Sequence, residues 1–291
     1  MSVTRSLLYY GLQPLLIIAV ISAWLVDPSS QGNFLLAIVT VQVVLGVLEH
    51  HWPARPTWVV HAKEKLMNIG IVVLLVVLSI FVAELYSAVL AEPLQVFREA
   101  NGLDFWPHEW PLIVQLLMAF IASEFIWYWI HRSEHRWYPV WRLSGHGAHH
   151  SFKRLNALNF GLNHPLELFF LAIPPAIIEL VFGVGYAAAG AALLIATQAS
   201  IVHSNFELNS KIIGWLFTTN RYHIHHHSSV MAESNTNYGC AGILWDRVFG
   251  TFADADTEAA GTGPTEPTLW QKFVMPVKEP EDTAVSPATP V

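Results

Sequence analysis

The stretch PLIVQLLMAFIASEFIWYWIHRSEH, residues 111–135, decides the architecture. Residues 111–130 carry a single charge, Glu124, over about the 20 residues that a helix needs to cross a hydrocarbon core. The apolar run then passes directly into His131 and His135. Spacing of i, i+4 sets both imidazoles on one helix face, close enough to share a metal ion. A membrane span that delivers a histidine pair to its own end implies an all-helical membrane protein with its chemistry at the interface.

Other apolar segments extend the pattern upstream. Residues 7–26 and 34–48 are uncharged, and residues 66–90 hold only Glu84. The first is longer than the apolar core of a signal peptide and lacks a small-residue cleavage site, so it reads as a helix. Downstream, residues 166–202 are bent by Pro174 and Pro175 and interrupted by Glu179, Gly183 and Gly185. They form a helical hairpin, either two thin spans or a re-entrant pair. The run from Gly183 to Gly190 lies inside it and suits small-residue helix packing better than nucleotide binding. The expected fold is an all-α integral membrane protein with about four transmembrane helices, a hydrophobic hairpin and a cytoplasmic helical cap.

Composition agrees. Of the 291 residues 53% are apolar and 13% charged, against roughly 25% charged in a soluble domain. A net charge of -7 without basic clusters excludes nucleic acid as a partner. One cysteine, Cys240, permits neither an internal disulfide nor a cysteine-held cluster. Lysine and arginine stay on the cytoplasmic side of a membrane. With Arg5 inside, the outer loops at 27–33 and 91–110 hold Arg98 alone of the 15 basic residues. That places the N-terminus and the histidines on the cytoplasmic side. Residues 1–252 read as one membrane-embedded domain, with histidine motifs at 131–227. Residues 253–291, rich in Pro, Thr and acid, read as a flexible tail in which Trp270 and Phe273 can touch the interface.

Fifteen histidines are present, and 11 of them lie between His131 and His227. After the first pair come His146, His149 and His150, then His223, His226 and His227, each set at i, i+3, i+4. His164, before Pro165, and His203 flank the hairpin. Packing so many rings without a cation leaves nitrogens unpaired or protonated rings in mutual repulsion. Their number exceeds what one tetrahedral ion takes, so two metals are implied. His50, His51 and His61 read as interfacial residues, His108 falls in an outer loop, and His225 points away from its neighbours' face. Glu124, two turns before His131, shares its face and can orient a ligand ring, or make an interhelical contact instead. Asp246 has either a similar supporting role or a local contact with Arg247. Tyr238 serves the site or its packing, and Arg132 and Arg221 suit lipid headgroups.

From Glu124 through His131 and His135, His146–Ser151, Asn163-His164-Pro165-Leu166-Glu167, His203-Ser204-Asn205, His223–His227, Asn237-Tyr238-Gly239 and residues 245–251, the chain resembles the sterol desaturase and fatty acid hydroxylase superfamily. The resemblance covers about residues 115–252 and is nearest the alkylglycerol monooxygenase-like and bacterial sterol desaturase-like branch. Glu124 stands where that pattern commonly has Asp. The resemblance implies two iron ions held by His131, His135, His146, His149, His150, His203, His223, His226 and His227, with His164 a weaker tenth. Glu124 and Asp246 are the acids expected to support catalysis.

It further implies dioxygen as cosubstrate and oxidation of a bilayer lipid, sterol, fatty acyl or ether lipid, by hydroxylation, desaturation or cleavage. Without a nucleotide motif the electrons come from a separate redox partner, a ferredoxin, a cytochrome b5-like protein or a flavin reductase. Such a protein belongs in a bacterial inner membrane. A membrane zinc-dependent hydrolase and a non-enzymatic metal or haem protein are the alternatives, the first acting without oxygen, the second needing ligands at membrane depth.

Overall fold

A computed structural model describes residues 3–103 and 105–278. Four long helices come first: α1 (Val3–Val26), α2 (Gln31–His51), α3 (Ala62–Asn101) and α4 (Leu112–Arg136). Short helices α5 (Tyr138–Ser144) and α6 (His146–His150) follow. The hairpin is α7 (Glu167–Phe182) and α8 (Tyr186–His203), and beyond it lie α9 (Asn220–His226), α10 (Met231–Ser234), α11 (Leu244–Phe249) and α12 (Leu269–Val274). Among the described residues, extended pairing is confined to two isolated bridges, Phe217 with Gly242 and Ser228 with Ala260. The fold is all-helical.

Five helices, α1, α2, α3, α4 and α8, are long and apolar enough to cross a membrane. Their outward faces show why: Leu74, Val77, Ile80 and Phe81 of α3 are exposed, as a lipid-facing surface requires. The chain is a multi-pass membrane protein. Helix α3 runs 40 residues, about 60 Å, twice the hydrocarbon thickness. The outer loop expected from residue 91 is therefore helical to Asn101, with Pro93 inside the helix and Gly102 ending it in the left-handed conformation at φ 61°.

The hairpin runs the depth of the bundle. It starts beside α6 and turns through Gly183 and Gly185, both at positive φ. At the tip Arg98 Nη1 donates to the carbonyls of Glu179 (3.2 Å) and Leu180 (2.7 Å). The sole basic residue of the expected outer loops thus caps the end of α7, sharing the Glu179 carbonyl with Gly183 N. Helix α8 returns through the centre, where a Cβ on Gly190 would lie 2.5 Å from Leu116 and 2.6 Å from Trp24. Only glycine allows that approach. Gln13 of α1 donates to Gln198 of α8 at 3.1 Å and to the Thr218 carbonyl at 3.0 Å, an interhelical bond inside the apolar core.

The histidine end is tied together by polar contacts. Glu49 Oε2, at the end of α2, accepts from the backbone N–H of Ala157 (3.1 Å) and Asn205 (3.2 Å). The tail differs from the flexible extension expected from residue 253. Residues 259–276 are strapped over α6 and the end of α9. Gly261 N donates to the His227 carbonyl and Thr262 N to the His150 carbonyl, each at 2.8 Å. Lys272 lies 3.3 Å from the Phe152 ring centre and 2.8 Å from Glu266, and Arg142 Nη2 donates to the Pro276 carbonyl at 2.8 Å. Low apolar content misleads here because backbone pairing with exposed helix ends, not a core, holds the segment. Trp270 and Phe273 remain exposed. Residues 279–291 of the expected tail lie outside the described residues.

Candidate metal centre

Helix α4 carries His131 and His135 to its last turns, and α6 and α9 are short helices with little but histidine on their inner faces. Gly145, at φ 76°, sets the entry to α6, and a Cβ there would fall 2.4 Å from the His164 ring. His203 arrives at the C-terminal end of α8. The rings form two groups: His131, His135, His146, His150 and His226 in one, and His149, His203, His223 and His227 in the other. All nine are buried, at 5% exposure or less.

The partition follows helical geometry. A step of four residues turns about 40° one way and a step of three about 60° the other. Accordingly His131 with His135, His146 with His150, and His223 with His227 each stay in one group. The i+3 members, His149 and His226, cross to the opposite group.

Within each group the Nε2 atoms converge. In the first, His131 and His146 are 2.9 Å apart, His135 and His146 3.1 Å, His135 and His150 3.2 Å, and His226 and His131 3.1 Å. In the second, His203 and His149 are 3.3 Å apart, His223 and His203 3.1 Å, and His227 and His223 3.2 Å. Nitrogens bound about 2.1 Å from one ion, at angles between octahedral and tetrahedral, lie roughly 3.0–3.4 Å from each other. Both groups fit a metal ion. Burial first, and then neighbouring imidazoles, hold His146, His149, His150, His223 and His227 well below the ordinary histidine range. Neutral rings keep the lone pair that a metal requires.

Backbone carbonyls orient three of the rings. His131 Nδ1–H donates to the Tyr238 carbonyl at 2.5 Å, and His226 Nδ1–H to that of Thr236 at 2.8 Å. His203 uses the Ala199 carbonyl at 2.9 Å. His146 Nδ1 meets the Glu167 carboxylate at 2.7 Å, with Glu134 at 3.7 Å. Trp127 stacks on His131, while Trp141 packs edge-on or tilted against His135, His146 and His150, and Tyr238 packs against His135. These aromatics wall the first group from water.

The family model described as fatty acid hydroxylase matches residues 116–251, which contain all nine clustered histidines. Over just under half of the chain, the histidine-bearing region is therefore similar to the fatty acid hydroxylase family. Over 51% of this chain it is 33% identical to an ornithine lipid hydroxylase, OlsE, of Rhizobium tropici, covering 44% of that protein. Over 51% it is 29% identical to human alkylglycerol monooxygenase, covering 33% of it. A very-long-chain aldehyde decarbonylase of Oryza sativa is 24% identical over 51% of this chain and 56% of its own. The match thus spans about half or less of these relatives' lengths. No solved structure matches the chain.

Within this fatty acid hydroxylase-like region, the tenth histidine of the expected set does not join either group. His164 Nδ1 accepts from Leu166 N at 3.1 Å and Nε2 bonds the Phe273 carbonyl at 2.9 Å, so both ring nitrogens serve the backbone. Neither proposed acid touches a clustered ring through a hydrogen bond. Glu124 Oε2 instead accepts from the N–H of Ala241 (3.2 Å) and Gly242 (2.7 Å). Asp246 accepts from Tyr238 N (2.8 Å), Gly239 N (2.7 Å) and the Thr251 hydroxyl (2.6 Å). The two acids hold neighbouring N–H pairs, at 238–239 and 241–242, of the loop whose carbonyls orient His131 and His226, and so act one bond further out than a ring contact. Asn237 on that loop adopts φ 53° and is fixed by bonds to the carbonyls of Tyr222 (3.1 Å) and Ala253 (2.9 Å).

His225 faces away, to Thr257 at 3.0 Å, and His50, His51, His61 and His108 are exposed. Arg132 donates to Tyr128 at 2.8 Å, and Arg221 pairs with Asp254 and Asp256. Sequence reading missed Glu134 and Glu167. Their signal was an acid one position before His135 and another closing Asn163-His164-Pro165-Leu166-Glu167, two charges at the edges of apolar spans. A cavity of about 500 Å³ on the far side of α9, lined by Arg55, Lys211, Arg221 and Asp256, is bordered by none of the nine histidines.

Proposed function

We propose that this chain is a membrane-embedded lipid hydroxylase that binds two iron ions, one in each histidine group, and uses dioxygen as cosubstrate. The observation that carries this reading is the convergence of nine buried Nε2 atoms into two ligand-spaced groups within a fatty acid hydroxylase-like region. Bound iron supplies the redox chemistry that reduces dioxygen, which zinc, having no redox states, does not. In the balanced reaction one oxygen atom enters a C–H bond as hydroxyl, and the other leaves as water with an electron pair and two protons taken up.

The residues define the protein's part. Nine neutral imidazoles hold charge-dense ions without neutralising them, which favours a strong oxidant. Trp127, Trp141 and Tyr238 exclude water around the first group. Because the rings sit at the ends of membrane helices and the charged cavity does not reach them, the lipid chain enters from the bilayer side. The placement of basic residues supports a cytoplasmic side for this end, where a separate redox partner would dock on the surface bearing Arg132 and Arg136. The relatives' names bear on lipid oxidation in general, and which lipid this chain takes rests with its own test.

The test pairs elemental analysis of protein purified without oxygen with lipid profiles of cells with and without it. Two irons per chain and an oxygen-dependent hydroxylated lipid are expected. Stoichiometric zinc with oxygen-independent turnover would replace this reading by a hydrolase.

A further inference from the structure

Among the nine clustered rings, His146 alone has a carboxylate on its outer nitrogen. His131, His203 and His226 bond backbone carbonyls there, and the Nδ1 atoms of His135, His149, His150, His223 and His227 make no hydrogen bond. Glu167 Oε1 lies 2.7 Å from His146 Nδ1, and both residues are 1% exposed. Glu134, fully buried, sits 3.7 Å from the same nitrogen. The contact joins α6 to the first turn of α7, elements otherwise linked through the loop at 151–166.

We infer that Glu167 is a positioning residue for His146, and that it makes the two metal positions unequal. A carboxylate accepting the Nδ1 proton fixes the tautomer, so that Nε2 presents its lone pair to the first group. It also pushes charge into that one ring, raising its basicity as a ligand, as carboxylate–histidine–metal arrangements do. His149 and the rest of the second group have no such acceptor. Glu134 of α4 borders the pair from the other side, 3.7 Å from the same nitrogen. An acid on the first turn of α7 thereby ties the membrane hairpin to one metal position and not the other.

The inference rests on the two-metal reading above, and the experiment separates their failures. Full-length protein in lipid nanodiscs is titrated with Co²⁺ alone, against a competing chelator, while the cobalt ligand-field absorption is followed. The wild type takes up two equivalents; fewer than two overturns the two-metal reading itself. With Glu167→Ala one of the two equivalents weakens by about 10–100-fold and the other is unchanged. Glu167→Gln, whose amide oxygen still accepts the Nδ1 proton, keeps both equivalents but shifts the absorption of one. That variant carries the test if the alanine protein does not fold, and Glu167→Asp restores part of the lost affinity. Unchanged affinity and absorption in both variants would overturn the role. So would equal weakening of both equivalents, which marks a general structural effect. A third equivalent in the wild type, lost in Glu167→Ala, would show instead that Glu134 and Glu167 bind a cation.

Discussion

The ring of His131 is aimed by the carbonyl of Tyr238, 107 residues further along the chain and 2.5 Å from Nδ1. Tyr238 is itself held by its N–H on Asp246, at 2.8 Å. Asp246→Ala therefore leaves the buried N–H groups of Tyr238 and Gly239 without an acceptor. The expected loss is about 2–4 kcal/mol of stability, read as a lower melting temperature in nanodiscs, with metal lost first from the group containing His131. A variant as stable as wild type would remove Asp246 from this chain of contacts.

Glu124 acts on the next N–H pair of the same loop, and its substitution should separate holding from proton transfer. Glu124→Gln keeps an oxygen facing Gly242 N and is expected to retain metal and most activity, whereas Glu124→Ala loses about 1–3 kcal/mol. Activity that disappears in Glu124→Gln while metal content and melting temperature stay unchanged would mean a direct chemical role.

The histidines divide into ligands and bystanders, and substitution should sort them. His149→Ala is expected to give less than about 1% of wild-type activity and a selective loss of one metal, with membrane insertion unchanged. His225→Ala and His164→Ala should keep both metals, the second at a stability cost of about 1–2 kcal/mol for its two backbone bonds. Metal loss in His164→Ala beyond what its stability predicts would return it to the ligand set.

Lys272 tests the strap. It pairs with Glu266 and covers Phe152, so Lys272→Ala should cost about 1–3 kcal/mol and speed proteolysis after residue 259. A loose tail would show neither effect.

Much of this was legible in the residues. The spans follow from uncharged apolar runs, and the nine clustered histidines from helical one-face spacing plus His203 at a span end. The division between groups was not drawn from that spacing, although the opposite rotations of i+3 and i+4 steps contain it. Glu167 and the Tyr238 carbonyl were hidden for a different reason. They reach His146 and His131 from 21 and 107 residues away, and a backbone acceptor leaves no mark in side-chain identity. Helix α3 outran its apolar stretch because Glu92, Arg98 and Glu99 continue a helix as readily outside a membrane as leucine does within it.

The most direct measurement is metal stoichiometry in protein purified without oxygen, for the wild type beside His149→Ala and His150→Ala. Two irons per chain are predicted for the wild type, and each variant, altered in a different group, should lose one while retaining the other. A single ion per chain, or one removed equally by either substitution, would contradict two separate histidine-built positions.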